Sequence, residues 1–267
     1  MHKRIVFVCA LAMALLLANC GGGEQQTNLP PAPAAGGGAA GGGTFDQSKA
    51  TASVAGKIMF EGTAPANQKI QMSADPFCAS HSKSPMTEDY RVNADGTLGN
   101  VIVYVKSGIE GMTFKAPTEP VVIDQVECHY VPHVFTMMVK QPLKIKNSDS
   151  TLHNIHAWAE KNTPFNIGQP VQNMETQKTF DKEEMPLPIR CDVHKWMGAF
   201  VGVFTHPFHT VAKDGGTFEL MLPAGKYEIV AWHEKLGTQT QTVEVKDNEK
   251  KELNFTFKAD AAAKTDN

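Results

Sequence analysis

The chain has 267 residues, is 42% hydrophobic and carries a formal net charge of -3. That leaves room for one or two domains with a sizeable core, and the lack of a basic excess excludes nucleic acid as the main partner. Five Cys, ten His and twelve Met form a large stock of soft donors, and their placement decides the functional reading.

The N-terminus reads as an export signal. Lys3 and Arg4 precede an almost unbroken apolar run from Ile5 to Leu17, too short to span a bilayer with its flanks. The run ends in Leu17-Ala18-Asn19-Cys20, which resembles the lipobox of bacterial lipoproteins. The resemblance implies that residues 1–19 are a signal peptide and that Cys20 is lipidated. With Gly21 rather than Asp after the cysteine, it further implies the outer membrane, facing the periplasm. An uncleaved anchor or a plain secretory signal is the open alternative. Residues 20–50 carry runs such as Gly36-Gly37-Gly38 and Gly41-Gly42-Gly43, which cannot build a core, and read as a flexible tether. No later stretch is apolar and long enough to cross a membrane, so the lipid anchor is the expected membrane contact.

From Val54 short β-type runs alternate with turn signals, which predicts an all-β fold. The expected strands are Val54–Glu61, Val101–Lys106, Val121–Gln125, Phe135–Val139, Leu143–Asn147, Asn154–Ala159, Leu187–Cys191, Ala199–Thr205, Thr217–Leu222, Lys226–Trp232, Gln239–Val245 and Leu253–Phe257. Any helix is short, the best place being after Pro76 around Cys78.

The chemistry concentrates in Cys191-Asp-Val-His194-Lys-Trp-Met197, at the end of a predicted strand. A thiolate, an imidazole and a thioether lie within one short loop. Leu152-His153-Asn154, after the polar turn Asn147-Ser148-Asp149-Ser150, offers a second imidazole. Two His, one Cys and a weak axial Met form the ligand set of a blue-copper electron-transfer site. Zinc is the rival metal, because Cys and His bind both, but Met is a poor zinc ligand. A buried structural thiol is the plainer alternative for Cys191. His156 competes with His153, and on an extended strand the two point to opposite faces.

The stretch from about Val139 to Val203 resembles the cupredoxin fold. Gln141-Pro142-Leu143-Lys144-Ile145-Lys146-Asn147, then Asp149 and His153-Asn154, is similar to the segment that delivers the first histidine. Cys191-x2-His194-x2-Met197 resembles the short ligand loop of amicyanin. The resemblance implies a Greek-key β-sandwich over residues 119–206 holding one type 1 copper through His153, Cys191, His194 and axial Met197. It implies that Asn154 holds the two ligand loops together, that His194 is the more exposed ligand and the electron entry point, and that Trp196 rims or covers it. It also implies one-electron transfer with a redox partner such as a c-type cytochrome or a terminal reductase or oxidase, and no substrate turnover.

With Cys20 lipidated and Cys191 on the metal, Cys78 and Cys128 remain to form a disulfide, as an exported protein allows. Cys128-His129-Tyr130-Val131-Pro132-His133 also offers His129 and His133, with His156, as additional metal contacts; the plainer reading is surface histidines beside a disulfide half. His206, His209 and His233 read as structural, and Met137, Met138, Met174 and Met185 as core filler.

Residues 207–258 carry Gly216-Thr-Phe-Glu-Leu-Met-Leu-Pro-Ala-Gly225-Lys-Tyr, which resembles the carboxypeptidase regulatory-like, or transthyretin-like, β-sandwich. The match lacks first strands, and those in residues 51–118 are the candidates to complete a second small sandwich. A single enlarged cupredoxin is the alternative. Residues 259–267 read as an Ala-rich tail. Two functions outside electron transfer stay open: copper storage, delivery or sensing, and a metal-free scaffold.

Overall fold

The computed structural model describes residues 44–212 and 215–259; the expected signal peptide, Cys20, the tether as far as residue 43 and the tail beyond residue 259 lie outside the described residues. In chain order the strands are β1 (Ala52–Glu61), β2 (Val101–Ser107), β3 (Val121–Val126), β4 (His129–Val131), β5 (Val134–Met138), β6 (Leu143–Asn147), β7 (His153–Ala157), β8 (Phe165–Gln169) and β9 (Met174–Lys178). They continue with β10 (Glu184–Arg190), β11 (Gly198–Phe204), β12 (His209–Ala212), β13 (Thr217–Leu222), β14 (Gly225–His233), β15 (Gly237–Val245), β16 (Lys250–Glu252) and β17 (Phe255–Lys258). A short helix, α1 (Pro76–His81), starts from Asp75, whose side chain accepts from the Cys78 N–H, with Pro76 in the first turn. No described helix is long and apolar enough to cross a membrane.

The protein is an all-β assembly of two sandwiches. In one, the sheet β5-β11-β10-β7-β8 faces the sheet β4-β3-β6-β9. The strands alternate, as in β6, where Leu143, Ile145 and Asn147 turn inward, because one face of each sheet must be buried. Ile123, Tyr130, Leu143 and Ile145 from one sheet meet Ile155, Leu187, Ile189 and Val201 from the other. The second sandwich joins both ends of the described chain: β1 lies between β13 and the pair β16 and β17, and the sheet β12-β2-β14-β15 covers them. Its core includes Val54, Ile58, Val103, Phe218, Leu220, Ile229 and Phe255. Each such side chain, fully buried, stabilises by about 1.5–3 kcal/mol. Ile102, Val134 and Phe204 form a small cluster where the sandwiches meet, and the His133 ring bonds to Glu234 and, through Nδ1, to the Gly198 carbonyl.

Strands β4, β8, β9, β12 and β16 are not among those expected from the sequence, and two further features depart from it. The sequence places residues 44–50 in the tether. Instead Phe45 hydrogen-bonds Thr113 and packs its ring on Phe114 and Phe208, because a large aromatic side chain finds apolar cover. The connection between β1 and β2 leaves the second sandwich: Ile70, Met72 and Cys78 pack into the core of the first. This brings α1 over the loop that follows β10.

Gly56 sits where β1 leaves β16 and takes up β17. A Cβ built there lies 1.8 Å from the Leu253 carbonyl oxygen, a backbone atom that cannot swing aside. Gly56→Ala is therefore expected to cost at least the ~1–3 kcal/mol of an overpacked core, read as a lower midpoint in urea, with α1 and the loop after β10 unchanged by NMR.

Near the joint, both ring nitrogens of His209 are buried with no hydrogen-bond partner among the described residues. Burial, with His206 beside it, pushes His209 down to about 3, and burial pushes His206 down to about 4. The unfolded chain takes up these protons near the ordinary value of about 6.5. The stability is therefore complete above about pH 6.5 and is lost as the pH falls towards 4. His209→Leu is expected to flatten that acid decline by on the order of 2 kcal/mol at pH 4.5, measured as the difference in thermal stability between pH 7.5 and 4.5.

Candidate metal centre

The end of β10 and the start of β11 form a hairpin closed by the pair Arg190 and Gly198, so Cys191–Met197 is its loop. Strand β7 runs beside β10, with His156 opposite Arg190. The register carries the start of β7 past the loop and sets His153 and Asn154 against it. His153, Cys191 and His194 meet there, their donor atoms all within 4.8 Å of one another, and all three are buried. Nδ1 of His153 lies 2.9 Å from Nδ1 of His194.

Backbone and side chains hold the loop from several sides. The Asn154 side-chain oxygen accepts from the Asp192 N–H at 2.7 Å and the Val193 N–H at 3.2 Å, and Cys191 Sγ donates to it at 3.2 Å. The His194 N–H donates to Cys191 Sγ at 3.3 Å. The Met197 N–H donates to the His194 carbonyl, and the Met197 carbonyl accepts from the Cys191 N–H. Met197 itself is buried in the core of this sandwich.

Sequence reasoning missed two carboxylates. Asp149 Oδ2 accepts from His153 Nε2 at 2.8 Å, and Asp75 Oδ2 accepts from His194 Nε2 at 2.9 Å. With each Nε2–H committed to a carboxylate, the Nδ1 atoms of both rings turn inward, 2.9 Å from one another and towards the Cys191 sulfur, and protons bridge these donors in the metal-free protein. A metal cation in place of those protons would bind both nitrogens and the sulfur. The donor set therefore fits a soft or borderline metal ion. Burial would raise both carboxyls. The Cys78 N–H and His194 outweigh it at Asp75, and His153 with the Cys128 and Glu127 amides at Asp149, so both lie below the usual range. Burial would likewise push the Cys191 thiol up, yet hydrogen bonds from His153 and His194 bring it down to about 6. A thiolate is thus available at neutral pH.

His194 is not the exposed ligand that the sequence implies. Only 3% of it is accessible. Asp75 covers its Nε2 edge, Cys78 Sγ lies 3.7 Å from the same nitrogen, and the Trp196 ring packs at 5.0 Å from the imidazole. The Trp196 N–H donates to the Cys128 carbonyl. The cover comes from residues 75–81, far outside the stretch that carries the resemblance. Cys78 and Cys128 are joined by a disulfide, and Cys191 is the free cysteine among the described residues. Two other donor groups, Asp75 with Cys78 and His194, and Cys128 with Asp149 and His153, each include half of that disulfide and so lack a thiolate.

The remaining candidates sit apart from these groups. His156 pairs with Asp192 at 3.0 Å, His133 bonds to Glu234 and Gly198, and His129 Nε2 is buried without a partner among the described residues. Met137 and Met138 are buried, Met137 in the core shared with Phe135.

No family model matches the chain, and no curated protein matches it significantly. Among solved structures, a Cu-containing nitrite reductase from Thermus scotoductus aligns at 19% identity with a TM-score of 0.31, covering 35% of this chain and 24% of its own. The match therefore spans about a quarter of that enzyme. A purple cupredoxin from Nitrosopumilus maritimus aligns at 20% identity and a TM-score of 0.27, covering 31% of this chain and 98% of its own. An oxidized mutant of amicyanin aligns at 16% identity and a TM-score of 0.29, covering 38% of this chain and 97% of its own.

Proposed function

We propose that the protein is a one-electron carrier in which His153, Cys191 and His194 would hold a single mononuclear copper, with Met197 of the same loop as a fourth, weak donor, in a cupredoxin-like sandwich. The observation that carries the reading is the convergence of one free thiol and two imidazole Nδ1 atoms in a buried pocket at one end of the sandwich. Bound there, copper supplies a couple that exchanges one electron without bond making. The residues do the rest. The hairpin and Asn154 fix the sulfur, the two carboxylates fix the rings, and burial excludes water from all three donors. A frame held from this many sides moves little when charge changes, which keeps electron exchange fast.

The reading places the carrier in the cell envelope, lipidated at Cys20. The partner is a redox protein such as a c-type cytochrome or a terminal reductase or oxidase. Val193 (47% exposed) and Leu152 (45% exposed), next in sequence to His194 and His153, supply apolar surface for a brief encounter. The second sandwich serves as a scaffold, and the protein turns over no substrate.

The test is to add Cu(II) to the metal-free protein. One copper per chain, an intense visible thiolate-to-copper band and reversible one-electron cycling are expected. More than one tightly held Cu(I) per chain without reversible cycling would point instead to copper storage or delivery. A colourless protein that binds no copper would leave only the scaffold.

A further inference from the structure

We propose that Asp75 is a positioning residue for the metal centre: the disulfide-anchored helix α1 delivers its carboxylate to the back nitrogen of His194, fixing which ring nitrogen faces the metal and adding negative charge that favours the higher oxidation state. This role rests on the copper reading of the site.

The two oxygens of Asp75 have separate partners. Oδ1 accepts from the Cys78 N–H at 3.0 Å and caps α1. Oδ2 accepts from His194 Nε2 at 2.9 Å and lies 3.3 Å from the Thr151 hydroxyl, which donates to it. Capping a helix needs only the first oxygen. The second reaches across the fold to a ring 119 positions away in sequence. Three residues after Asp75, Cys78 is tied to Cys128. The amide of Cys128 is in turn held by Asp149, the carboxylate behind His153. The two carboxylates are therefore parts of one bonded frame, one behind each imidazole.

A carboxylate on the far nitrogen of a metal-bound imidazole sets its tautomer and orientation and raises its basicity, and losing such a partner typically costs about 10–100-fold in metal affinity. With the thiolate of Cys191, Asp75 and Asp149 place three anions around the pocket. A divalent ion gains more from them than a monovalent ion, because the Coulomb energy scales with the ion's charge. The site is thus biased towards the oxidised, divalent state.

Asp75→Asn removes the charge; Asn caps a helix as well as Asp does, but its single side-chain oxygen serves either the Cys78 N–H or His194 and not both. Asp75→Ser also caps but is too short to reach the ring. In the copper-loaded protein, Asp75→Asn is expected to shift the Cu(I) over Cu(II) preference about tenfold, a rise of about 59 mV in potential. Zn(II), which has no redox chemistry, should bind both variants about tenfold more weakly. In the metal-free protein, nitrogen-15 spectra of His194 should show a proton held on Nε2 in wild type and a changed tautomer population in both Asp75→Asn and Asp75→Ser. An unchanged potential and zinc affinity in Asp75→Asn, with the same His194 tautomer in Asp75→Ser, would reduce Asp75 to a helix cap and overturn the proposal. If wild type takes up no copper, the electron-carrier reading falls, while the zinc titration and the tautomer still decide the role of Asp75.

Discussion

Cys191→Ser is expected to erase the visible band of the copper-loaded protein and to weaken copper binding by more than the roughly 10–100-fold that loss of a supporting partner costs. The reason lies in what surrounds the sulfur. Burial opposes a charge on Cys191, and the fold overrides that penalty with the rings of His153 and His194 and the backbone amides of Asn154 and His194. A hydroxyl at the same position remains protonated under conditions where the thiol, brought to about 6, has become a thiolate. It is also a hard donor where a soft one matches Cu(I). The Ser hydroxyl can donate to the Asn154 side-chain oxygen as the thiol does, so the metal-free variant should still fold, at a cost of about 1–3 kcal/mol. A folded variant with lost colour and weakened binding separates a ligand from a structural thiol. A variant that keeps both band and affinity would remove Cys191 from the site.

That His153, Cys191 and His194 come together is legible in the sequence, for identifiable reasons. Cys191, His194 and Met197 lie in one loop, so their spacing survives any rearrangement of the surroundings. His153 is distinguishable from His156 through its neighbour, because Asn154 has the short polar side chain needed to bond the facing loop, and it does. Strands with strict alternation are readable too, such as β13, where Phe218, Leu220 and Leu222 are buried and Thr217, Glu219 and Met221 are not. Strands β9 and β16 are not. In β9 the sequence Met-Glu-Thr-Gln-Lys has no fully buried position, and in β16 all three residues are exposed, so neither shows an apolar signal. β9 pairs with β6 and β16 with β1.

Asp75 and Asp149 escape sequence reasoning for a different reason. Asp75, just before Pro76, caps the short helix expected there. Nothing local announces that its other oxygen meets a ring on a loop 119 residues later. Such a link is a product of chain folding, visible only once the β1–β2 connection crosses to the other sandwich. The same crossing explains why the sequence places His194 at the surface and the fold does not. A likeness confined to residues 139–203 describes an end of the sandwich without its cover, and residues 75–81 supply that cover.

Replacing both Cys78 and Cys128 by Ala is expected to produce the largest loss of stability of any change considered. Their bond closes a loop of 50 residues, for which loop-closure entropy alone gives about 4 kcal/mol. Two fully buried sulfurs are also lost from the core, which adds a packing cost. For a domain of this size that corresponds to a fall of roughly 8–16 °C in Tm. The loss should not be uniform. The Cys78 amide still caps onto Asp75, so α1 retains its local start. It loses the covalent tie that presses it onto His194, while the Trp196 bond to the Cys128 carbonyl uses backbone and survives. Amide exchange is therefore expected to quicken first in residues 75–82. A bound metal should pass to a competing chelator faster than from wild type, because the covered edge of His194 opens whenever α1 lifts. Unchanged exchange and release rates, in a variant whose Tm has fallen, would mean that packing rather than the disulfide holds the cover in place.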